Sequence, residues 1–309
     1  MSSAFARYVV LPTAASFLIA TSAFGGETCR PQLLASLRLS EEPDGSPSIP
    51  ASLNGRPIAL GIDTGGSTGV LDAASAKDLD LDVSRSRSWL SLPGGINTSL
   101  FAEVDGLQLA ALPAFESKFT IIPAGLNGGQ KVRKIGADAL SRYDIEIDFA
   151  RGEFNVYSPV RCADGAIQLN GETLAGTPMQ SDRGHHIFVS IFLDGKPMTA
   201  ALDTGAQRTV MSLKTAHDLF GLDDKDTELK AEGPTALNGA AVSTPFHYRF
   251  KSLSIANVVV SNPDIQLLPG DLLDSDSPQL LLGLDFLRHF HIYVAYDAEY
   301  LYIARPTGP

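Results

Sequence analysis

The segment Leu53-Asn54-Gly55-Arg56-Pro57, which leads through Ile58 to Ile62 into Asp63-Thr64-Gly65, recurs as Leu193-Asp194-Gly195-Lys196-Pro197 leading into Asp203-Thr204-Gly205. The two copies stay in register beyond the Asp-Thr-Gly tripeptide. Val70-Leu71-Asp72 and Lys77-Asp78-Leu79 in the first correspond to Val210-Met211-Ser212 and His217-Asp218-Leu219 in the second, at a constant offset of 140 positions. A repeated frame of this length marks an internal duplication, and a duplication decides architecture before any local reading begins. It predicts two lobes related by a pseudo-twofold axis, with Asp63 and Asp203 facing each other.

Two carboxylates brought into contact cannot both ionise freely, because Coulomb repulsion raises one pKa and the pair shares a proton over an acidic range. One group can then take a proton from water while the other gives one to a carbonyl oxygen, which is the assignment that amide hydrolysis without a covalent intermediate needs. Gly65 and Gly205 suit a tight loop with close approach. The hydroxyls of Thr64 and Thr204 both donate and accept, so each can tie one loop to the other.

On these motifs the chain resembles the retropepsin-like aspartic proteases, with two halves fused in one polypeptide, as a relative of the retroviral proteases and the pepsins. Ala201-Leu202-Asp203-Thr204-Gly205-Ala206 is close to the retroviral form. Gly61-Ile62-Asp63-Thr64-Gly65-Gly66-Ser67 departs from it at Gly66, where the family usually has Ala or Ser. The family's second signature, two apolar residues and a glycine, is matched by Leu281-Leu282-Gly283 and, less well, by Lys134-Ile135-Gly136, where Lys134 replaces an apolar residue.

The resemblance implies a mostly β, bilobal acid protease fold of two barrel-like lobes with short helices. Asp63 and Asp203 would be catalytic, with Thr64, Gly65, Thr204 and Gly205 shaping the loops. It also implies a polypeptide substrate, no cofactor and no metal, since water is the nucleophile, and a monomer, since both catalytic halves lie in one chain. Each half would carry a flap hairpin over bound peptide, one near Trp89 to Thr98 with its tip at Pro93-Gly94-Gly95, the other near Glu232 to Thr244 around Asn238-Gly239. Trp89 reads either as the wall of a substrate pocket or as a core residue. The alternative within this fold is a catalytically silent peptide-binding protein.

Local patterns give the elements. Asn54-Gly55 and Asp194-Gly195 are strong hairpin signals. Asp72 and Ser212 are good N-caps for one short helix per half, and strands dominate afterwards. Residues 1–25 read as an export signal, with Arg7, an apolar run and small residues at the end, which predicts a periplasmic or secreted protein with no stable membrane span once the signal is removed. Cys29 and Cys162 flank the first half, and an even pair in an oxidising compartment reads as a disulfide. The predicted division is 26–160 for the N-terminal lobe, 161–183 for an irregular connection and 184–309 for the C-terminal lobe.

With 24 basic and 35 acidic residues the net charge is −11, which argues against nucleic acid and anionic membrane surfaces as partners. Rival motifs are weaker. Gly65-Gly66-Ser67-Thr68-Gly69 fits G-x-S-x-G, yet its repeat partner Gly205-Ala206-Gln207-Arg208-Thr209 has no serine and the context is strand-rich. His185-His186 and His289-x-His291 lack a metalloprotease frame, and Gly125 to Lys131 resembles a phosphate loop in composition alone.

Overall fold

The computed structural model describes residues 29–92, 96–124, 131–162, 165–232, 244–269 and 278–306. The predicted export signal and both predicted flap tips, Pro93-Gly94-Gly95 and Asn238-Gly239, lie outside these residues. The chain is mostly β, with four short helices among the described residues: α1 (Ala73–Asp78), α2 (Ala137–Leu140), α3 (Leu213–Phe220) and α4 (Leu284–Leu287).

The two copies of the repeat fold alike. Strands Pro47–Leu53 and Arg56–Ile62 form one antiparallel hairpin, and Ile187–Leu193 and Lys196–Leu202 form the other. Both turns place two residues at positive φ, Asn54 (49°) and Gly55 (78°) in one, Asp194 (48°) and Gly195 (77°) in the other, the geometry that Asn-Gly and Asp-Gly serve best. The side chains at the first turn position also work: Asn54 Oδ1 accepts from Gly106 N at 3.0 Å, and Asp194 Oδ1 accepts from Lys251 N at 2.7 Å and Ser252 N at 2.8 Å. Each hairpin is thereby fastened to a later strand of its own half.

In each half the strand entering the Asp-Thr-Gly loop pairs in parallel with a short strand from the second signature. Gly61 sits opposite Lys134 in the first half and Ala201 opposite Leu281 in the second. That short strand also pairs antiparallel with the strand leaving the loop, Val70 opposite Lys134 and Val210 opposite Leu281. Lys134 and Leu281 are therefore structural equivalents. The helices begin as their caps predict: Asp72 Oδ1 accepts from Ser75 N at 2.8 Å, and Ser212 Oγ accepts from Thr215 N at 3.0 Å. Such caps are worth about 1 kcal/mol each.

Eight strands between Ser40 and Ile135 make one sheet. A second, 15-stranded sheet links the two halves. In it Asp144–Asp148 pairs on one side with Glu153–Tyr157 and on the other with His291–Ala295, Ile145 opposite Val294 and Ile147 opposite Ile292. All five residues of Asp144–Asp148 are buried, and one apolar core containing Leu60, Phe119, Ile147, Leu202 and Ile292 runs through both halves.

Two segments depart from the sequence reading. Leu33–Arg38 is a strand, paired with Glu153–Tyr157; its largely exposed pattern gave no alternation to read. The segment expected to be irregular, 161–183, contains the hairpin Ala166–Leu169 with Glu172–Ala175, and then the strand Thr177–Ser181, which joins Ile187–Leu193 to Tyr300–Ala304. Glycine content suggested a linker, but Gly171 simply turns the hairpin, at φ 87°. The disulfide between Cys29 and Cys162 is present, with Cα atoms 5.7 Å apart. Cys162 packs beside a small second core of Tyr157, Ile167, Leu169, Tyr293 and Tyr302. No helix among the described residues is long and apolar enough to cross a membrane.

Candidate active site

The two Asp-Thr-Gly loops meet face to face. Thr64 N donates to Thr204 Oγ1 at 3.2 Å and Thr204 N donates to Thr64 Oγ1 at 3.1 Å. Each hydroxyl in turn donates across the divide, Thr64 Oγ1 to Leu202 O at 2.9 Å and Thr204 Oγ1 to Ile62 O at 2.8 Å. Both threonines are buried, so all four bonds are made away from water, where leaving them unmade would be costly.

Behind this lock the glycines admit the opposite carboxylates. A Cβ on Gly65 would stand 2.3 Å from Asp203 Cγ, and one on Gly205 would stand 2.4 Å from Asp63 Oδ1. Any side chain there would have to push an aspartate out of place. The second-signature glycines support the loops from below: a Cβ on Gly136 would meet the Thr68 backbone at 2.3 Å, and one on Gly283 the Arg208 carbonyl at 2.3 Å.

The surroundings of the two aspartates differ. Asp203 Oδ1 accepts from Gly205 N at 2.7 Å and Ala206 N at 3.1 Å. Burial pushes the Asp203 carboxyl up to about 6, and the charge of Asp63 pushes the same way against the pull of Lys134 and the two N–H groups. Asp63 has a different neighbour. Lys134 Nζ lies 3.4 Å from Asp63 Oδ2 and donates to Gly205 O at 3.1 Å. Sequence reasoning registered Lys134 as a departure from an apolar pattern and missed its contact, because nothing in the sequence says that a side chain on the second-signature strand reaches the first loop. The one available signal was a lysine in a strand slot whose repeat equivalent is a leucine.

The second signature carries a further asymmetry. Asp285 Oδ1 accepts from Thr209 N at 2.8 Å and Thr209 Oγ1 at 2.7 Å. Its counterpart Asp138 belongs to the half in which Gly69 takes the place of Thr209; Asp138 Oδ1 is buried without a hydrogen-bond partner, and burial raises its pKa.

Residues considered for other chemistry take structural places. Ser67 precedes the strand Gly69–Asp72 rather than sitting at a strand-to-helix turn. His186 Nδ1 pairs with Asp182 at 2.8 Å. His291 Nε2 meets Glu146 Oε1 at 2.5 Å, joining a buried carboxylate that also accepts from Tyr157 OH, Asn155 Nδ2 and Asn170 Nδ2. Glu146, Asp148 and His291 present ligand-type atoms within 4.8 Å of one another, but Glu146 is already committed to these donors. Most of Gly125 to Lys131, which resembles a phosphate loop in composition alone, lies outside the described residues. Trp89 is 68% exposed, which overturns its reading as a core residue; it stands on the hairpin Val83–Leu92 with Ile96–Leu109, whose strands close at Leu92 opposite Ile96.

Residues 189–286 match a family described as aspartyl protease. No curated protein matches the chain. Among solved structures, the crystal structure of a retropepsin-like aspartic protease from Rickettsia conorii is 23% identical, with 42% of this chain and 90% of that one covered and a TM-score of 0.32. The family match spans the second of the two Asp-Thr-Gly halves and supports an aspartic protease reading for that half.

Proposed function

We propose that the chain is an aspartic endopeptidase in which a water held between Asp63 and Asp203 attacks a peptide carbonyl. The carrying observation is the reciprocal locking of the two loops, with each glycine backed against the other loop's aspartate. That arrangement holds two carboxylates side by side, one with a raised pKa, so that one can accept a proton from water while the other protonates the carbonyl oxygen. Thr64 and Thr204 fix the loops, and Gly65 and Gly205 let the carboxylates approach.

The rest of the reading follows from this site. The substrate is an extended polypeptide, held under the hairpin of Val83–Leu92 with Ile96–Leu109. The two lobes are 26–160 and 184–309, joined through 161–183, and a single chain is a complete enzyme. The Cys29–Cys162 bridge supports export to an oxidising compartment. The test is cleavage of an unstructured polypeptide by purified protein from about pH 3 to 8, the range over which such a dyad titrates. Activity in the parent that vanishes in Asp63→Asn and Asp203→Asn supports the proposal; no cleavage by the parent, or equal cleavage by all three, overturns it.

One observation favours a second reading, a silent peptide binder: a cation rests against Asp63. On that reading the same polypeptide binds the cleft and is recovered intact across the whole pH range.

A further inference from the structure

The duplication makes the two aspartates equivalent in sequence, yet the structure breaks their equivalence at one place. Lys134 and Leu281 occupy the same slot in the two halves, opposite Gly61 and Ala201 and beside Val70 and Val210. Leucine there carries no charge and can make no ion pair. Lysine reaches out of the slot to Asp63 Oδ2 and on to the Gly205 carbonyl of the opposite loop. Its side chain is 26% exposed and that of Asp63 14%, so the pair is only partly screened by water.

We propose that Lys134 is a positioning residue that decides which aspartate carries the shared proton, holding Asp63 as the carboxylate and leaving the proton on Asp203. This rests on the protease reading above and deepens it: Asp63 becomes the base toward water and Asp203 the acid toward the carbonyl oxygen.

The charges around the site leave this assignment to Lys134. The leading charges acting on Asp203 are those of Asp63, which raises its pKa, and Lys134, which lowers it. On the neighbouring elements, Arg133 donates to Ser75 Oγ at 2.8 Å, and Asp72, at the end of Gly69–Asp72, accepts from Ser75 and Val132 N. Asp138 on α2 faces His185 and Arg142. Lys134 is thus the cation of the dyad, and its bond to Gly205 O keeps the ammonium in place when the proton moves. A cation favours every ionised state of the pair, so both proton losses occur at lower pH than they would beside a leucine. The raised value of Asp203 agrees, being the proton-bearing member despite the pull of Lys134.

The test reads the carboxyl groups directly. Protein labelled with carbon-13 at the aspartate side chains is titrated by NMR as the parent and as Lys134→Leu, Lys134→Met and Lys134→Arg. Leucine is the residue of the equivalent slot, and methionine keeps an unbranched stem if leucine fails to fold. In the neutral variants both dyad titrations move up by about one to three pH units, the range for a cation at this distance, and Asp63 and Asp203 titrate more alike; the arginine variant stays near the parent. Unmoved titrations in the neutral variants overturn the proposal. The readout needs no turnover, so a parent that fails to cleave peptide sinks the protease reading while leaving this assignment to be judged by the titration itself.

Discussion

Thr64 and Thr204 each receive the other's backbone N–H on a side-chain hydroxyl, at 3.2 and 3.1 Å. The consequence is that neither loop is complete without its mate. In Thr204→Val the shape is kept, but the buried Thr64 N–H loses its acceptor and the Ile62 carbonyl its donor. We expect a loss of about 1–3 kcal/mol for such an orphaned group, read as a lower denaturation midpoint, and Thr204→Ser to restore most of it. Equal stability of the valine variant and the parent would contradict the lock.

Asp203→Asn is expected to reduce cleavage by orders of magnitude while the protein stays folded. Its stability difference from the parent depends on pH. The Asp203 carboxyl is raised to about 6 in the fold, so its contribution is fully present below the ordinary aspartate range and is lost as pH rises through 6. The asparagine variant therefore gains on the parent between pH 4 and 7. Asp144, also pushed up to about 6 by burial, gives both proteins a similar slope and cancels in the comparison. Denaturant midpoints of the two proteins across that interval settle the sign.

Glu146 titrates the opposite way. Burial works to raise it, but the hydrogen bonds from His291, Tyr157 and Asn155 outweigh burial and hold its pKa below the ordinary glutamate range. Its stabilising contribution is present above about pH 4.3 and is lost as pH falls through the lower folded value. Glu146→Gln is expected to flatten that acid limb of the stability curve; an unchanged limb would remove Glu146 from the account.

The disulfide closes a loop spanning 133 positions. In the chain-entropy model a loop of this size contributes roughly 4–5 kcal/mol at most. Paired Cys29→Ser and Cys162→Ser replacement is expected to lower the melting temperature without changing the pH profile of cleavage, since Cys162 packs beside the small second core and takes no part in the bonds that hold the dyad loops. A shifted profile would show that the bridge shapes the site.

Trp89, 68% exposed on the Val83–Leu92 strand, contributes little to folding. If its hairpin covers substrate, Trp89→Ala raises KM about tenfold, the equivalent of ~1.4 kcal/mol, at constant melting temperature. Unaltered KM on several polypeptides would place the tryptophan away from the substrate.

Much of this was legible in the sequence because the duplication let one half check the other. Asn54-Gly55 and Asp194-Gly195 announce the same turn, Asp72 and Ser212 the same cap, and the two Asp-Thr-Gly loops the same site. What escaped were features for which the two halves share no sequence frame. Leu33–Arg38 and Thr177–Ser181 hold equivalent places in the sheet, but their sequences do not correspond, and Leu33–Arg38 has a mostly exposed face. Strands inside 161–183 are short, and their glycines read as linker punctuation. Lys134 looked like noise in an apolar signature, because its meaning lies in a contact with a residue 71 positions away, Gly205.

The pairing of Asp144–Asp148 with His291–Ala295 bears on how this protein can be cut. A truncated product ending near residue 160 would expose the unpaired backbone edge of Asp144–Asp148, a ready template for strand addition by another polypeptide. The same ladder means that two fragments produced by a nick within 161–183 carry complementary edges, so co-expressed pieces have the means to zip back together into one working unit, whereas either piece alone has a reason to self-associate.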